Sequence, residues 1–253
     1  MSAFDLLAVY CAVDIIFARG DLQMPFLPKD PISLIIFAIC LALPLYAQWK
    51  VMSTYRKYSE EPASSGITAA QAARRLLDRA GLHHVKVEAV QGYLSDHYDP
   101  RSKTLRLSAP DSTSIAAIGV AAHEAGHALQ DAEKYPMLVL RSAVVPVAQF
   151  APPIGIMLFM AGMFFTAFKP LLLVGILLFA AAVAFTLITL PVEFDASSRA
   201  MRILRDGGIA VGQKELGGVN KVLGAAALTY VAAAVTAVGQ LISMILQAQG
   251  RRE

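Results

Sequence analysis

The chain has 253 residues, of which 56% are hydrophobic and 16% charged, and its mean hydropathy is +0.54. An ordinary soluble domain carries about 25% charged residues, so the composition excludes both a soluble globular protein and a disordered one, and fits a chain that spends about half its length in lipid. The net charge of +3 is too small and too dispersed for a nucleic-acid partner, and Cys11 and Cys40, both in apolar runs, exclude a disulfide framework and a cysteine-based zinc ribbon.

Residues 1–30 form an N-terminal apolar segment. Its stretch Ala3–Ala18 holds Asp5 and Asp14 and reads as an interfacial helix, a re-entrant segment or a fifth span. It lacks the basic start of a signal peptide, and Asp14 interrupts its apolar run. Four charge-free runs follow: Pro31–Trp49 (19 residues), Ser142–Phe168 (27), Pro170–Val192 (23) and Val222–Gly250 (29). About 20 apolar residues suffice to span a bilayer, so all four are expected transmembrane helices. Pro146, Pro152 and Pro153 predict a kink or a late start in the second, and the Ala- and Gly-rich fourth suits close packing in lipid.

Only Lys169 separates the second and third spans, which predicts a tight hairpin. The polar segments 50–141 and 193–221 then lie on one side of the membrane. They hold 17 of the 22 basic residues, which places that side in the cytoplasm. The expected fold is therefore an α-helical integral membrane protein, with four or five spans and a small α+β zincin-like cytoplasmic domain.

Within segment 50–141, Thr68-Ala-Ala-Gln71 has the form of a capping box and opens a helix to about Ala80, stopped by Gly81. Val85–Val90 alternates like a strand. Asp99-Pro100-Arg101-Ser102 is turn chemistry, and Thr104–Leu107 alternates again, so a small sheet ending in a hairpin is expected. Asp111 or Ser112 would cap a helix over Ile115–Ala132. In the second polar segment, Pro191 and the run to Arg205, closed by Gly207-Gly208, read as the start and stop of a separate helix.

His123-Glu124-Ala125-Gly126-His127 is an H-E-x-x-H motif inside the helix Ile115–Ala132. Residues i and i+4 share a helix face, so both imidazoles can reach one metal ion, and Glu124 projects beside them as a base for water at that metal. A catalytic zinc usually takes a third protein ligand. The extended motif with a further histidine is absent, because residue 130 is Gln and residue 133 is Glu. Asp131, Glu133, Glu193 and Asp195 are the candidates. Glu133 points away from the metal if the helix continues. Glu193 lies on the motif's side of the membrane, although an acidic residue in a helix's first turn also suits the helix dipole. Asp195 reads either as a carboxylate orienting an imidazole or as a solvated charge. His97 either donates to the oxyanion of a tetrahedral intermediate or stabilises a turn. His83 and His84 read as surface residues. Tyr230, in the fourth span, either faces the metal cavity or packs between helices.

At these motifs the chain resembles the YugP-type family of bacterial membrane zinc metallopeptidases. The resemblance is carried by Ser53–Ser59 (STYRKYS), Thr68–Leu82, Leu94–Leu107 (LSDHYDPRSKTLRL), Gly119–Gln130 (GVAAHEAGHALQ), Leu190–Ala200 (LPVEFDASSRA) and Ala226–Val235 (AALTYVAAAV), and covers most of the chain from about residue 31. It implies one Zn2+ per chain held by His123, His127 and Glu193, with Glu124 as catalytic base. More distantly the layout resembles the HtpX and CAAX prenyl protease group, where a Glu inside an E-x-x-x-D pattern completes the site. Here Ser197 stands at that Asp position.

The expected activity is that of an integral-membrane zinc endopeptidase of the gluzincin kind in the bacterial inner membrane, its active site facing the cytoplasm. Glu124 activates water against peptide bonds of membrane-associated or unfolded proteins, and Thr104–Leu107 serves as an edge strand that holds the polypeptide extended. The competing reading is a membrane zinc-binding scaffold without turnover. A transporter is disfavoured because the four main spans carry no charge. Substrate identity and oligomeric state stay open at this level.

Overall fold

A computed structural model describes residues 31–207, 209 and 212–250. The segment Ala3–Ala18 and Gly208 lie outside the described residues. In chain order the elements are α1 (Pro31–Ser59), α2 (Ala69–Arg79), β1 (Lys86–Ala89), β2 (His97–Asp99), β3 (Thr104–Leu107), α3 (Ile115–Ala132), α4 (Pro136–Phe164), a short 3-10 turn (Thr166–Phe168), α5 (Leu171–Gly207) and α6 (Gln213–Gly250). Among the described residues, four helices (α1, α4, α5 and α6) are long and apolar enough to cross a membrane. The protein is a helical membrane protein carrying one small sheet.

The long helices extend beyond the charge-free runs. With 37 residues, α5 is about 55 Å long, well over the roughly 30 Å of a bilayer's hydrocarbon core. The proline-bearing helix starts early rather than late: α4 begins at Pro136, whose missing N–H is harmless in a first turn, and runs through Pro146, Pro152 and Pro153. The separate helix expected after Pro191 does not exist, because Pro191 lies inside continuous α5. An internal proline removes one backbone hydrogen bond and costs about 3 kcal/mol. The continuity has a visible source in packing. Thr186, Thr189, Val192, Glu193, Ala196 and Ala200 are all buried, so one stripe at three- and four-residue spacing is held on both sides of the proline.

α4 and α5 form the expected tight hairpin. They cross at two glycines, where a methyl group added at Gly175 would stand 2.5 Å from the Gly155 carbonyl oxygen. The capping box is present in both directions, with the Gln71 backbone N–H donating to Thr68 and the Thr68 N–H donating to the Gln71 side chain. The cap of α3 falls later than expected. Ser114 accepts from the Ala117 N–H at 3.2 Å, while Ser112 donates its hydroxyl to Ser114.

The sheet order is β1-β3-β2. β1 runs parallel to β3 with Lys86 opposite Thr104, and β2 runs antiparallel to β3 with His97 opposite Arg106. Thr104–Leu107 is therefore the central strand, not an edge. Its Thr104, Leu105 and Leu107 are buried, as a strand flanked on both sides requires, whereas β2 reads His-Tyr-Asp and stays at the rim.

One core joins these parts. Leu76 and Leu77 of α2, Leu105 and Leu107 of β3, and the alanine face of α3 pack with Tyr55 and Tyr58 of α1, Ala200 and Leu204 of α5, and Val219, Val222 and Leu223 of α6. The sheet segment is thus folded onto the ends of the long helices, and α3 lies between α5 and α6.

Candidate metal centre

The small residues of α3 decide where its histidines go. A methyl group added at Gly126 would lie 2.6 Å from the Ala196 carbonyl oxygen, so α3 and α5 touch backbone to backbone at that point. The crossing brings His123 and His127 to the part of α5 that carries Glu193. The His123 Nε2 lies 3.2 Å and the His127 Nε2 3.5 Å from the Glu193 Oε2, and the two rings stand edge to face with centroids 4.7 Å apart. One ligating atom from each of the three residues lies within 4.8 Å of the others. The Glu193 side chain is 3% exposed, and its other oxygen faces Arg141 at 3.3 Å.

The outer nitrogens of the two rings are engaged. His127 Nδ1 lies 3.0 Å from the Gln130 Oε1. The Gln130 amide nitrogen donates to the Val192 carbonyl and to Asp195, both at 2.8 Å, which fixes the amide's orientation. Its oxygen can then only accept, so His127 Nδ1 carries a proton and, in the neutral ring, His127 Nε2 presents a lone pair. His123 Nδ1 faces the Ser197 hydroxyl at 3.2 Å.

Of the four carboxylates considered as third ligand, Glu193 alone is brought to the imidazole pair. Asp131 accepts from the Tyr98 hydroxyl at 2.7 Å and from Lys103, which ties α3 to the sheet. Glu133 caps α3 and pairs with Arg199 at 2.7 Å. Asp195 touches neither imidazole: it holds Gln130 and Arg199, one link further out than the sequence suggests. His97 lies on β2 with its Nδ1 committed to the Ser95 carbonyl at 2.8 Å and its Nε2 3.4 Å from Arg106. His83 is exposed and bonded to Asp78 at 3.0 Å.

Sequence reasoning missed Gln130, Ser197 and Arg141. Ser197 was noticed only as a departure from a pattern, although its offset of one turn from Glu193 was a usable signal. Gln130 follows His127 by three residues, the spacing at which helix side chains meet.

Glu124 is 8% exposed and neighbours His123 in the chain. Burial pushes its carboxyl up to about 7, against the pull of the His123 imidazole. Glu124, His127 and Glu193 line a groove of about 870 Å3. One wall is β2 and its flanking loop; the other is helical, built by Glu124 and His127 of α3, Glu193 of α5 and the first turns of α4, including Leu138, Val139 and Val145. Tyr230 of α6 lines this groove beside Glu193, so it faces the cavity. Asp96, on the loop before β2, accepts from both the N–H and the hydroxyl of Ser108 and so pins that wall to the end of β3.

Over residues 33–249 the chain matches a family described as "Putative neutral zinc metallopeptidase", and it belongs to that family. It is 51% identical over 208 residues to the "Putative membrane protease YugP" of Bacillus subtilis (strain 168), an alignment covering 81% of this chain and 92% of that protein. No solved structure matches it.

Proposed function

We propose that the protein is an integral-membrane zinc endopeptidase of the gluzincin type, with His123, His127 and Glu193 as ligands of one Zn2+ and Glu124 as general base. The observation that carries the reading is the orientation of His127. Its proton is held on Nδ1 by Gln130, so a lone pair on Nε2 faces the Glu193 carboxylate at 3.5 Å. Two such electron-rich atoms repel unless a positive charge, a proton or a metal ion, lies between them, and His123 Nε2 converges on the same carboxylate oxygen at 3.2 Å. Two imidazole nitrogens and one carboxylate oxygen are also the donor set of a catalytic zinc site that leaves a position open.

Zinc held by these residues supplies a Lewis acid that acidifies water and polarises a peptide carbonyl. Glu124 takes a proton from the attacking water as its oxygen bonds to the carbonyl carbon. The same carboxyl returns that proton to the leaving nitrogen as the C–N bond breaks. Burial keeps Glu124 poised for both transfers. Gln130 and Ser197 orient the imidazoles, and Arg141 holds the second oxygen of Glu193. Tyr230 is a hydroxyl donor on the same cavity.

The substrate reading follows from the groove walls. β2 is an edge strand lining the groove, so an extended polypeptide adds to β2, not to β3. The opposite wall includes Leu138, Val139 and Val145 at the start of a membrane-capable helix, beside Arg141 and Ser142. Membrane-associated or unfolded polypeptides fit such a channel, and the distribution of basic residues supports the reading that it opens on the cytoplasmic face of the bacterial inner membrane.

The test is cleavage of casein by the detergent-purified chain with zinc present, run beside Glu124→Gln. Zinc-dependent cleavage that disappears in the variant, while the variant keeps its zinc, supports the mechanism. Equal cleavage by both proteins overturns it. Bound zinc without turnover on casein or on membrane-protein substrates would favour the scaffold reading.

A further inference from the structure

A second concave site lies away from the groove, on the seam between α1 and α6. The two helices run antiparallel and are pinned together at two points. A methyl group added at Gly239 would stand 2.5 Å from Cys40 Sγ, and one at Gly218 would stand 2.9 Å from the Tyr58 ring. Between these contacts the helices leave a cleft of about 620 Å3. The cause is visible in the sequence. The facing row on α1 is Lys50, Ser53, Thr54 and Lys57, and the row on α6 is Lys221, Gly224, Ala225 and Leu228, both at the i, i+3, i+4, i+7 spacing of one helix face. The α6 row is too small to fill the gap: a methyl group added at Gly224 meets nothing within 4 Å.

The residues lining this cleft carry three ammonium groups and three hydroxyls, those of Ser53, Thr54 and Tyr58, and no carboxylate. Its position along α1 is equally informative. Lys50 is the first charge after the 19-residue apolar run Pro31–Trp49. Trp49 lines the cleft, and its ring pairs with that of Tyr46 at 5.8 Å. Aromatic rings of this kind sit at the headgroup level of a bilayer. Towards the bilayer, α1 exposes Leu41, Leu45 and Tyr46. The site therefore has a cationic, hydroxyl-bearing end that continues into an exposed apolar flank.

We infer that this cleft is a binding seat for an anionic phospholipid, with the phosphodiester held by Lys50, Lys57 and Lys221 and the acyl chains lying along the apolar surface of α1. A basic pocket between spanning helices suits this ligand, because the ammonium groups meet the phosphate while the chains stay in hydrocarbon. The inference is independent of the metal site and of any peptidase activity.

The experiment is native mass spectrometry of the full chain in detergent, titrated with dioleoyl phosphatidylglycerol or dioleoyl phosphatidylcholine. The wild-type protein is expected to bind the anionic lipid at least about tenfold more tightly. The triple variant Lys50→Gln/Lys57→Gln/Lys221→Gln should lose that preference, and the control Arg75→Gln/Lys86→Gln should keep it. Gly224→Leu leaves all three charges in place and fills the open floor, so it should lose the preference as well. If Gly224→Leu binds like wild type, the lysines act as diffuse surface charge and the seat is refuted. Retention of the preference by the triple variant refutes it too. Glycerophosphoglycerol, the headgroup without chains, should not displace the lipid at matched concentration; if it does, the occupant is a free phosphate compound and not a lipid.

Discussion

The two walls of the groove are built on opposite terms. On the helix wall, α3 and α5 meet at Gly126 and Ala196, and the polar groups next to the candidate ligands have fixed partners: Gln130 for His127, Ser197 for His123, Arg141 for Glu193. On the sheet wall, β2 is a three-residue edge strand whose histidine is exposed and whose ring is turned to Ser95 and Arg106. The first wall is preorganised and closed; the second offers a backbone edge to whatever enters. Chemistry that demands fixed geometry belongs to the first, and tolerance of varied sequences to the second.

The contrast can be broken most severely at Glu193. Glu193→Ala should lower zinc affinity by more than about 100-fold, beyond the usual loss from a merely supporting residue. It should also leave Arg141 without its partner. Zinc content after dialysis against a chelator reads this out. Gly126→Ala comes next, since its methyl group must displace the Ala196 backbone. Overpacking of this kind costs roughly 1–3 kcal/mol, and a lower midpoint in detergent should accompany weaker zinc retention. A variant with unchanged stability and zinc would show that the crossing is not tight.

Gln130→Ala sharpens the comparison without touching a ligand. A loss of about 10- to 100-fold in zinc affinity is expected, because His127 is no longer held in one tautomer. Gln130→Glu should recover little of it: one carboxylate oxygen can accept from Nδ1, but the other would face the Val192 carbonyl and the Asp195 carboxylate, to which the amide nitrogen now donates. The smallest effect belongs to the other wall. His97→Ala should change kcat on casein by less than about threefold, far under the roughly 100-fold or more attached to a direct proton-transfer group. A large fall in kcat would return His97 to the reacting atoms.

Much of this architecture was legible from residue order. Charge-free runs located the four long helices, and the capping box at Thr68 and Gln71 fixed the start of α2. The spacing of His123 and His127 identified the side of α3 that meets Glu193. What escaped depended on contacts across the fold. Pro191 is a local stop signal, but the burial of Thr189, Val192, Glu193 and Ala196 on one stripe overrides it. Thr104–Leu107 alternates as an edge strand would, and only the pairing of β1 on its far side makes it central. Asp195 read either as a carboxylate orienting an imidazole or as a solvated charge, and its actual link to His127 runs through Gln130, a neutral residue that composition does not flag. Gly126 occupies an unspecified position of the H-E-x-x-H motif, and the need for a residue without a side chain there appears only when Ala196, 70 positions later, lies against it.

The passage of α5 through Pro191 has a consequence for the order of synthesis. On the proposed ligand set, the two histidines are translated before Glu193, and Glu193 sits on the same continuous rod as the third membrane-capable helix. A nascent chain ending anywhere before that helix carries the base and both imidazoles but no complete metal cage. On the proposed mechanism, hydrolytic competence therefore arises only once the hairpin of α4 and α5 has been made, and a chain truncated before α5 is inert.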